Sequence, residues 1–303
     1  MIVGIPRALY AYKQPGLWPG VVRALGMPYV VSPPTDAAIL ERGVAISDGE
    51  TCLSCKVFNG HCAWLIERGV DTLLIPRYKS LARGYHCCPK FLGLPDIARA
   101  LFPHMRVIDP TVDLRRQPLS ATLMVAGRSL GAGIGRSVRA TRTAHRVYAR
   151  RQRRATAAYR ALVRSPMPVG LVSHPYTLGD THVNMRLAGR LSKLGVTPVE
   201  TGMVPHAPLA DAPDFGWDFA RVLYAQARTL LNDGVRGMIR LSACNCGCDA
   251  VIGEYLAGIC RAARVPHMVL TIDEHTSDGG LQTRVEAFVD TLTNRELRHA
   301  ACA

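Results

Sequence analysis

The chain contains no hydrophobic run that approaches the roughly eighteen apolar residues of a membrane helix, so we expect no membrane span. No basic segment precedes a long apolar stretch at the N-terminus, and we therefore expect no secretory signal and a cytoplasmic location. The 303 residues are 20% charged and 48% apolar, a balance that argues against global disorder. Ten cysteines are too few for a disulfide scaffold of this length. The secreted, membrane-spanning and disordered classes are therefore set aside.

Acidic residues are missing altogether between Asp113 and Asp180, whereas the same stretch carries thirteen arginines and no lysine. Most of the formal net charge of +14 therefore belongs to this segment. Five of the arginines recur at steps of three and four, which places them on one face of a helix: Arg139, Arg142, Arg146, Arg150 and Arg153. A solvated helix face and a docking surface for an acidic protein partner both stay open. Nucleic acid is the least favoured partner, because no nucleic-acid-binding motif accompanies the charge.

Short apolar segments alternate with helical patterns along both halves of the chain, which predicts an α/β fold with parallel sheets. The predicted strands are residues 2–5, 28–31, 72–75, 107–109, 169–173, 196–199, 237–241 and 267–271. One long helical region is predicted over residues 125–164, and the glycines at its start indicate close helix packing or a bent entry. We expect an N-terminal α/β domain (1–124), a basic helical connector (125–165) and a C-terminal α/β domain (166–303).

Seven of the ten cysteines lie in three tight groups, each after a predicted strand or at a helix start. Cys52 and Cys55 form a C-x-x-C pair, Cys87 and Cys88 are adjacent, and the third group reads C-x-C-x-C over residues 244–248. Soft thiolates gathered from separate loops favour an iron–sulfur cluster. A structural zinc and a thioredoxin-like pair remain alternatives, although each explains fewer of the cysteines.

Seven segments together resemble the iron–sulfur proteins related to the 2-hydroxyacyl-CoA dehydratase component and the acyl-CoA dehydratase activase-related proteins. They are residues 5–9, 32–34, 52–61, 88–95, 174–176 with Asp180 and Asn184, 245–247 with Asp249, and 272–276. The resemblance implies two Rossmann-like domains that hold a [4Fe-4S] cubane at the domain interface through Cys52, Cys88 and Cys246. It also implies a separate ATPase activator that drives low-potential electrons into the cluster.

Every ligand position that the resemblance implies is doubled in this chain, by Cys55, Cys87 and Cys248. Six thiolates suit the double-cubane [8Fe-9S] cluster of some relatives, three for each cubane. A single cubane with three bystander thiols is the equally weighted alternative. Cys244 can also replace a partner in the third group.

The resemblance leads us to expect a protein that accepts low-potential electrons and passes them to a small molecule or a partner enzyme, under anaerobic conditions. His61, His174 and His275 are the candidate proton donors for such a reduction. The ATPase activator or a ferredoxin is expected to dock on the Arg139–Arg153 face, and a homodimer is left open. The alternatives are a non-enzymatic cluster carrier or scaffold, and a zinc-stabilised basic binding module.

Overall fold

A computed structural model describes residues 1–81, 85–205 and 212–301, with side chains described up to residue 294. The chain divides into two compact units. The first unit comprises Met1–Arg153 together with Asp214–Phe219, and the second comprises Arg154–Pro213 and Ala220–Ala303. Among the helices of the described ranges, none has both the length and the apolar character that crossing a membrane requires.

The first unit contains a four-stranded and a two-stranded sheet, both parallel. Its strands are β1 (Val3–Ile5), β2 (Tyr29–Val31), β3 (Thr72–Leu74), β4 (Arg77–Ser80), β5 (Arg106–Ile108) and β6 (Thr111–Asp113). The larger sheet has the order β2-β1-β3-β5, and β4 pairs with β6. The predicted strands of this half are confirmed, whereas β4 and β6 were not predicted. Both are short and carry charged or polar residues, so they lack the apolar runs from which the others were recognised.

The helices of the first unit are α1 (Tyr10–Lys13), α2 (Leu17–Ala24), α3 (Ala37–Ile46), α4 (Leu53–Glu67), α5 (Pro89–Leu101), α6 (Leu119–Ser129) and the greater part of α7 (Ile134–Leu162). The long helical region predicted over residues 125–164 consists of the end of α6 and the whole of α7, with a break between the two helices. Gly131 adopts φ of +87° in this break, a conformation that glycine takes without strain. A Cβ at Gly127 would lie 2.7 Å from Ser137 Oγ, so close packing of α6 on α7 is confirmed.

Helices α3 and α4 pack backbone against backbone through two glycines. A Cβ at Gly43 would lie 1.9 Å from the carbonyl oxygen of Lys56, and one at Gly60 would lie 1.9 Å from that of Ile39. Real Cβ atoms do not approach other atoms so closely, so both positions require glycine. This contact helps to bury the first ten of the fifteen residues of α4, from Leu53 to Cys62.

The arginine row of helix α7 is exposed to solvent. Ser137, Ala140, Thr141 and Ala144 are buried on its packing face. The row predicted from the sequence is exposed along its whole length: Arg139, Arg142, Arg146, Arg150 and Arg153. No carboxylate of the described residues forms an ion pair with any of these five guanidinium groups.

The second unit is built on one four-stranded parallel sheet of order β10-β9-β7-β8. Its strands are β7 (Pro168–Val172), β8 (Thr197–Glu200), β9 (Gly237–Ala243) and β10 (His267–Ile272), all of them predicted. Its helices are α8 (Pro175–Leu178), α9 (Leu187–Lys193), α10 (Asp218–Asn232, whose first two residues belong to the first unit), α11 (Gly247–Ala262) and α12 (Asp278–Ala301). The expected α/β fold with parallel sheets is therefore confirmed.

Candidate metal centre

Two of the cysteines in the first unit occupy the N-cap positions of long helices. Cys52 caps α4 and Cys88 caps α5, and neither side chain forms a capping hydrogen bond. Both thiols are half-buried, and each lies where the positive end of a helix dipole favours a thiolate or an anionic ligand. Neither sulfur is therefore used to cap its helix.

Cys52 and Cys55 interact directly within the first turn of α4. A hydrogen bond with the Cys55 side chain is the main cause that lowers the pKa of Cys52 to about 7, against the opposing effect of burial. The Cys88 thiol and the Lys90 ammonium also act on Cys52, with opposite signs. The pKa of Cys55 is raised well above its usual range by the same hydrogen bond and by burial. Cys52 is therefore the readily ionised member of the pair.

Cys87 lies in a different environment from its neighbour Cys88. Its buried thiol donates a 3.7 Å hydrogen bond to Asp218 Oδ2, which also accepts the Leu81 backbone N–H at 2.6 Å. Burial, followed by the charge of Asp218, raises the pKa of Cys87, and the Lys13 ammonium partly opposes them. The pKa of Lys13 is lowered to about 8 by burial. This contact could not be predicted from the sequence, since Cys87 and Asp218 are 131 residues apart.

His61 is fully buried in α4, and its Nε2 lies 2.9 Å from Thr35 Oγ1. Its Nδ1 has no hydrogen-bond partner among the described residues. Burial, reinforced by the positive charge of Arg7 and opposed by Asp36, lowers the pKa of His61 to about 4. The imidazole is therefore neutral at pH 7.

This neutral histidine predicts an acid-sensitive fold. The unfolded chain binds a proton below about pH 6.5, whereas the folded chain does so only below about pH 4, so stability falls as the pH drops through this interval. We expect His61 to remove about 3 kcal/mol from the free energy of unfolding over that range. Urea unfolding of the cluster-free protein at a series of pH values measures it. His61→Gln should flatten this part of the profile, and the exposed control His275→Gln should not. Identical slopes for wild type and His61→Gln would contradict the prediction.

The second unit brings His174 and Cys246 together at the point where its strand order reverses. The chain runs from β7 outward to β8 and then returns to β9 on the other side of β7. Ligand sites of open parallel sheets form at the carboxyl ends of the two strands that flank such a reversal. His174 follows β7 as the N-cap of α8, and Cys246 follows β9 as the N-cap of α11.

Asp249 completes a group of three with these residues. His174 Nε2 lies 3.1 Å from Asp249 Oδ1, and the ligand atoms of His174, Cys246 and Asp249 all lie within 4.8 Å of one another. Burial alone would lower the pKa of His174, but the charge of Asp249 and hydrogen bonds with Asp249 and Cys246 raise it to about 10. The Tyr176 ring stacks on the imidazole at a centroid distance of 5.0 Å. The sequence pointed to His174 and Cys246 separately but not to Asp249 as their partner, although its spacing of three residues from a helix N-cap was a usable signal.

The remaining predicted site residues lie in separate environments. Cys248 is buried in α11, whereas Cys244 lies just before this helix and is half-buried. His275 is exposed in the loop after β10, where its backbone N–H donates to Asp273 Oδ1 at 2.9 Å. The nine cysteines that the structure describes are all free thiols. Cys62 and Cys260 are fully buried, in agreement with the core positions expected for them, and Cys302 lies outside the described residues.

The fold is that of an α/β protein with parallel sheets. Its candidate metal-binding sites are the thiols at helix N-termini and the group formed by buried His174 and Asp249 with half-buried Cys246. The chain belongs to the family described as CoA enzyme activase uncharacterised domain (DUF2229), whose model matches residues 2–204. The activase-related part of the resemblance is therefore confirmed. No curated protein matches the chain.

Several solved structures are similar to this chain only at low scores. The SBP FpvC from Pseudomonas aeruginosa in complex with Ni²⁺ is 16% identical over 97% of this chain and 96% of its own, with a TM-score of 0.29. A Mn-bound periplasmic metal binding protein from Candidatus Liberibacter asiaticus is 11% identical over 96% and 100%, with a TM-score of 0.31. Tagatose-6-phosphate ketose/aldose isomerase from Escherichia coli is 13% identical over 99% and 82%, with a TM-score of 0.22. Scores this low carry no argument about fold or function.

Proposed function

We propose that this chain is an iron–sulfur protein that accepts low-potential electrons from an ATP-driven partner and delivers them to a small molecule or a partner enzyme. One observation carries the proposal. The three cysteines that the family resemblance implies as ligands, Cys52, Cys88 and Cys246, are all N-cap residues of helices of thirteen residues or more. All three are half-buried, none is in a disulfide, and none of their side chains forms a capping hydrogen bond.

These positions suit an anionic cluster for physical reasons. The unpaired N–H groups and the dipole at a helix N-terminus stabilise negative charge, and a thiolate-bound iron–sulfur cluster is usually anionic. A bound cluster would supply one-electron transfer at low potential. The chain's own contribution is to hold the thiolates and to surround them with hydrogen-bond donors that tune that potential. Each proposed ligand has a buried cysteine one to three residues away, which supports a double cubane as the larger form of the cluster.

Among the three proposed proton donors, His174 has the best support. Its imidazole lies beside the proposed ligand Cys246 and is oriented by Asp249. His61 is enclosed against Thr35, and His275 lies on an exposed loop that has no described contact with a cysteine. We therefore propose His174 as the group that holds a proton next to the cluster.

The exposed arginine row of α7 is the proposed docking surface for the electron donor. Its charge is unpaired by any described carboxylate, and an acidic ferredoxin or ATPase activator would complement it. Such a donor and an oxygen-sensitive cluster are consistent with a reduced, anaerobic cytoplasm.

Charge reversal on this row should slow electron delivery. We expect Arg142→Glu/Arg146→Glu to lower the rate of cluster reduction by a reduced ferredoxin about tenfold or more at low salt, because electrostatic steering is lost. Stopped-flow absorbance measures the rate. The control Lys193→Glu/Arg261→Glu makes the same charge change at exposed positions of the second unit and should have a smaller effect. Equal rates for the two double variants would exclude the row as the docking surface.

Anaerobic purification followed by iron and sulfide analysis tests the function itself. The proposal expects a brown protein with a cluster that dithionite reduces and that remains bound through repeated reduction and reoxidation. Complete transfer of the cluster to an apo-ferredoxin would instead identify a carrier. A colourless protein that contains zinc and no iron, before and after reconstitution, would exclude both iron functions and leave the zinc-stabilised module.

A further inference from the structure

The second unit contains three side chains that together can bind one metal ion. His174 Nε2, Cys246 Sγ and a carboxylate oxygen of Asp249 face one another within 4.8 Å. In a tetrahedral zinc site with metal–ligand distances of about 2.0–2.3 Å, two ligand atoms lie roughly 3.3–3.8 Å apart. The 3.1 Å separation of His174 Nε2 and Asp249 Oδ1 is close to this spacing. Cys246 Sγ lies within 4.8 Å of both, so a movement of about 1 Å or less brings the three atoms to the distances of a metal site.

Charge also favours a divalent ion at this position. The side chains of His174 and Asp249 are each only 3% exposed, and burying unbalanced charge is costly. An ion that binds here displaces the protons of His174 and Cys246. The neutral imidazole, the thiolate and the carboxylate that remain carry two negative charges, which one divalent ion neutralises. The mixture of nitrogen, sulfur and oxygen donors selects a transition metal such as Zn²⁺, Co²⁺ or Fe²⁺ over Mg²⁺ or Ca²⁺.

Neighbouring groups hold two of the three ligands, Asp249 and His174, in place, as outer groups do around metal sites generally. The Ala243 backbone N–H donates to Asp249 Oδ2 at 3.2 Å, which leaves Oδ1 facing His174. Arg240 Nη1 donates to the backbone carbonyl of Asp249 at 2.6 Å, and Gly253 leaves room for this guanidinium, which a Cβ there would meet at 2.6 Å. Tyr176 stacks on the His174 ring.

We propose that His174, Cys246 and Asp249 form a mononuclear site for one divalent transition-metal ion, with a fourth coordination position open on the half-buried cysteine side. The site goes beyond the proposed function, because a cubane iron already bound by three sulfides takes a single protein ligand. A cluster on Cys246 and an ion in this site therefore exclude each other. The mononuclear site belongs to the cluster-free chain, where an occupying ion would block cluster assembly at Cys246.

Cobalt titration of the full-length, cluster-free chain tests the site once the thiols of the first unit are removed. In the variant Cys52→Ser/Cys55→Ser/Cys87→Ser/Cys88→Ser we expect one Co²⁺ per chain and a thiolate-to-cobalt charge-transfer band. Adding Cys246→Ser should abolish the band. Adding His174→Ala or Asp249→Asn should raise the Kd by more than the roughly 10- to 100-fold that loss of an outer partner costs. The control His182→Ala, at an exposed position of the second unit, should leave the Kd unchanged.

A failure of the site is distinguishable from a failure of the proposed function. If no Co²⁺ binds, or if His174→Ala and Asp249→Asn leave the Kd unchanged, the mononuclear site is overturned even when the wild type carries an iron–sulfur cluster. Cobalt binding with the expected dependence supports the site even when the wild type never acquires iron. Should the fourfold variant not fold, Cys52→Ser/Cys88→Ser at half-buried positions replaces it, with the same added variants and the same criteria.

Discussion

Replacement of Cys52, Cys88 and Cys246 together by serine is expected to leave the anaerobically reconstituted protein almost free of iron. These are the N-cap thiols that carry the proposed function, and a serine hydroxyl does not replace a thiolate as an iron ligand. Iron and acid-labile sulfide analysis, together with the visible spectrum, measures the loss. Retention of the full iron content by this variant would exclude the three residues as ligands.

The matched triple variant at the buried partners tests the size of the cluster. Wild type is expected to bind about eight irons per chain, as a double cubane, and Cys55→Ser/Cys87→Ser/Cys248→Ser about four, with one cubane spectrum remaining. Cys260→Ser is the control, because Cys260 is fully buried and its Sγ lies 3.4 Å from Met238 Sδ, so its loss should not change the iron content. The double cubane is excluded if wild type never exceeds about four irons and the buried-partner variant is indistinguishable from it.

Replacement of Gly60 by alanine is expected to destabilise the fold strongly. The added methyl would lie 1.9 Å from the Ile39 carbonyl oxygen, so α3 and α4 must separate along their whole contact. Overpacking typically costs about 1–3 kcal/mol, and a clash with rigid backbone falls at or above the upper end. Because Cys52 and Cys55 lie at the N-terminal end of α4, the shift should also lower the iron content. Urea unfolding of the cluster-free protein and iron analysis of the reconstituted protein measure the two effects.

The control for this variant is Gly135→Ala in α7. A Cβ at Gly135 meets nothing within 4 Å, and alanine there should stabilise an exposed helix by up to about 1 kcal/mol. Gly43→Ala should reproduce the effect of Gly60→Ala, since its added methyl, on α3, would clash with the backbone of α4 in the same contact. Equal stability of Gly60→Ala and Gly135→Ala would contradict the packing seen between α3 and α4.

The strand positions and the arginine face could be predicted from the sequence because both depend on local patterns. Each predicted strand is a short apolar run, and each forms a strand of a parallel sheet, completely buried in the case of β1, β3 and β7. The exposed row of α7 follows from helical spacing alone, as does the burial of the opposite face at Ala140 and Ala144. Cys52, Cys88 and Cys246 also lie at helix starts, as expected for the cysteine groups.

Residues distant in sequence meet only because of the tertiary structure. Asp218 reaches Cys87 because the segment Asp214–Phe219 packs within the first unit, where Trp217 pairs with His86. Neither contact is associated with a periodic pattern in the sequence from which it could have been predicted. The glycine contact between α3 and α4 is similar, since nothing at Gly43 or Gly60 indicates which carbonyl its Cα will face.

The sequence by itself determined the α/β class, the basic helix face and the three groups of cysteines. These follow from composition, periodicity and spacing within a few turns or strands of chain. The tertiary structure decided which of the polar residues share a site, above all that His174 and Asp249 meet beside Cys246. The reason is that the strand order of the parallel sheet reverses between β7 and β9. This places the carboxyl ends of the two strands side by side, although they are about 70 residues apart in the chain.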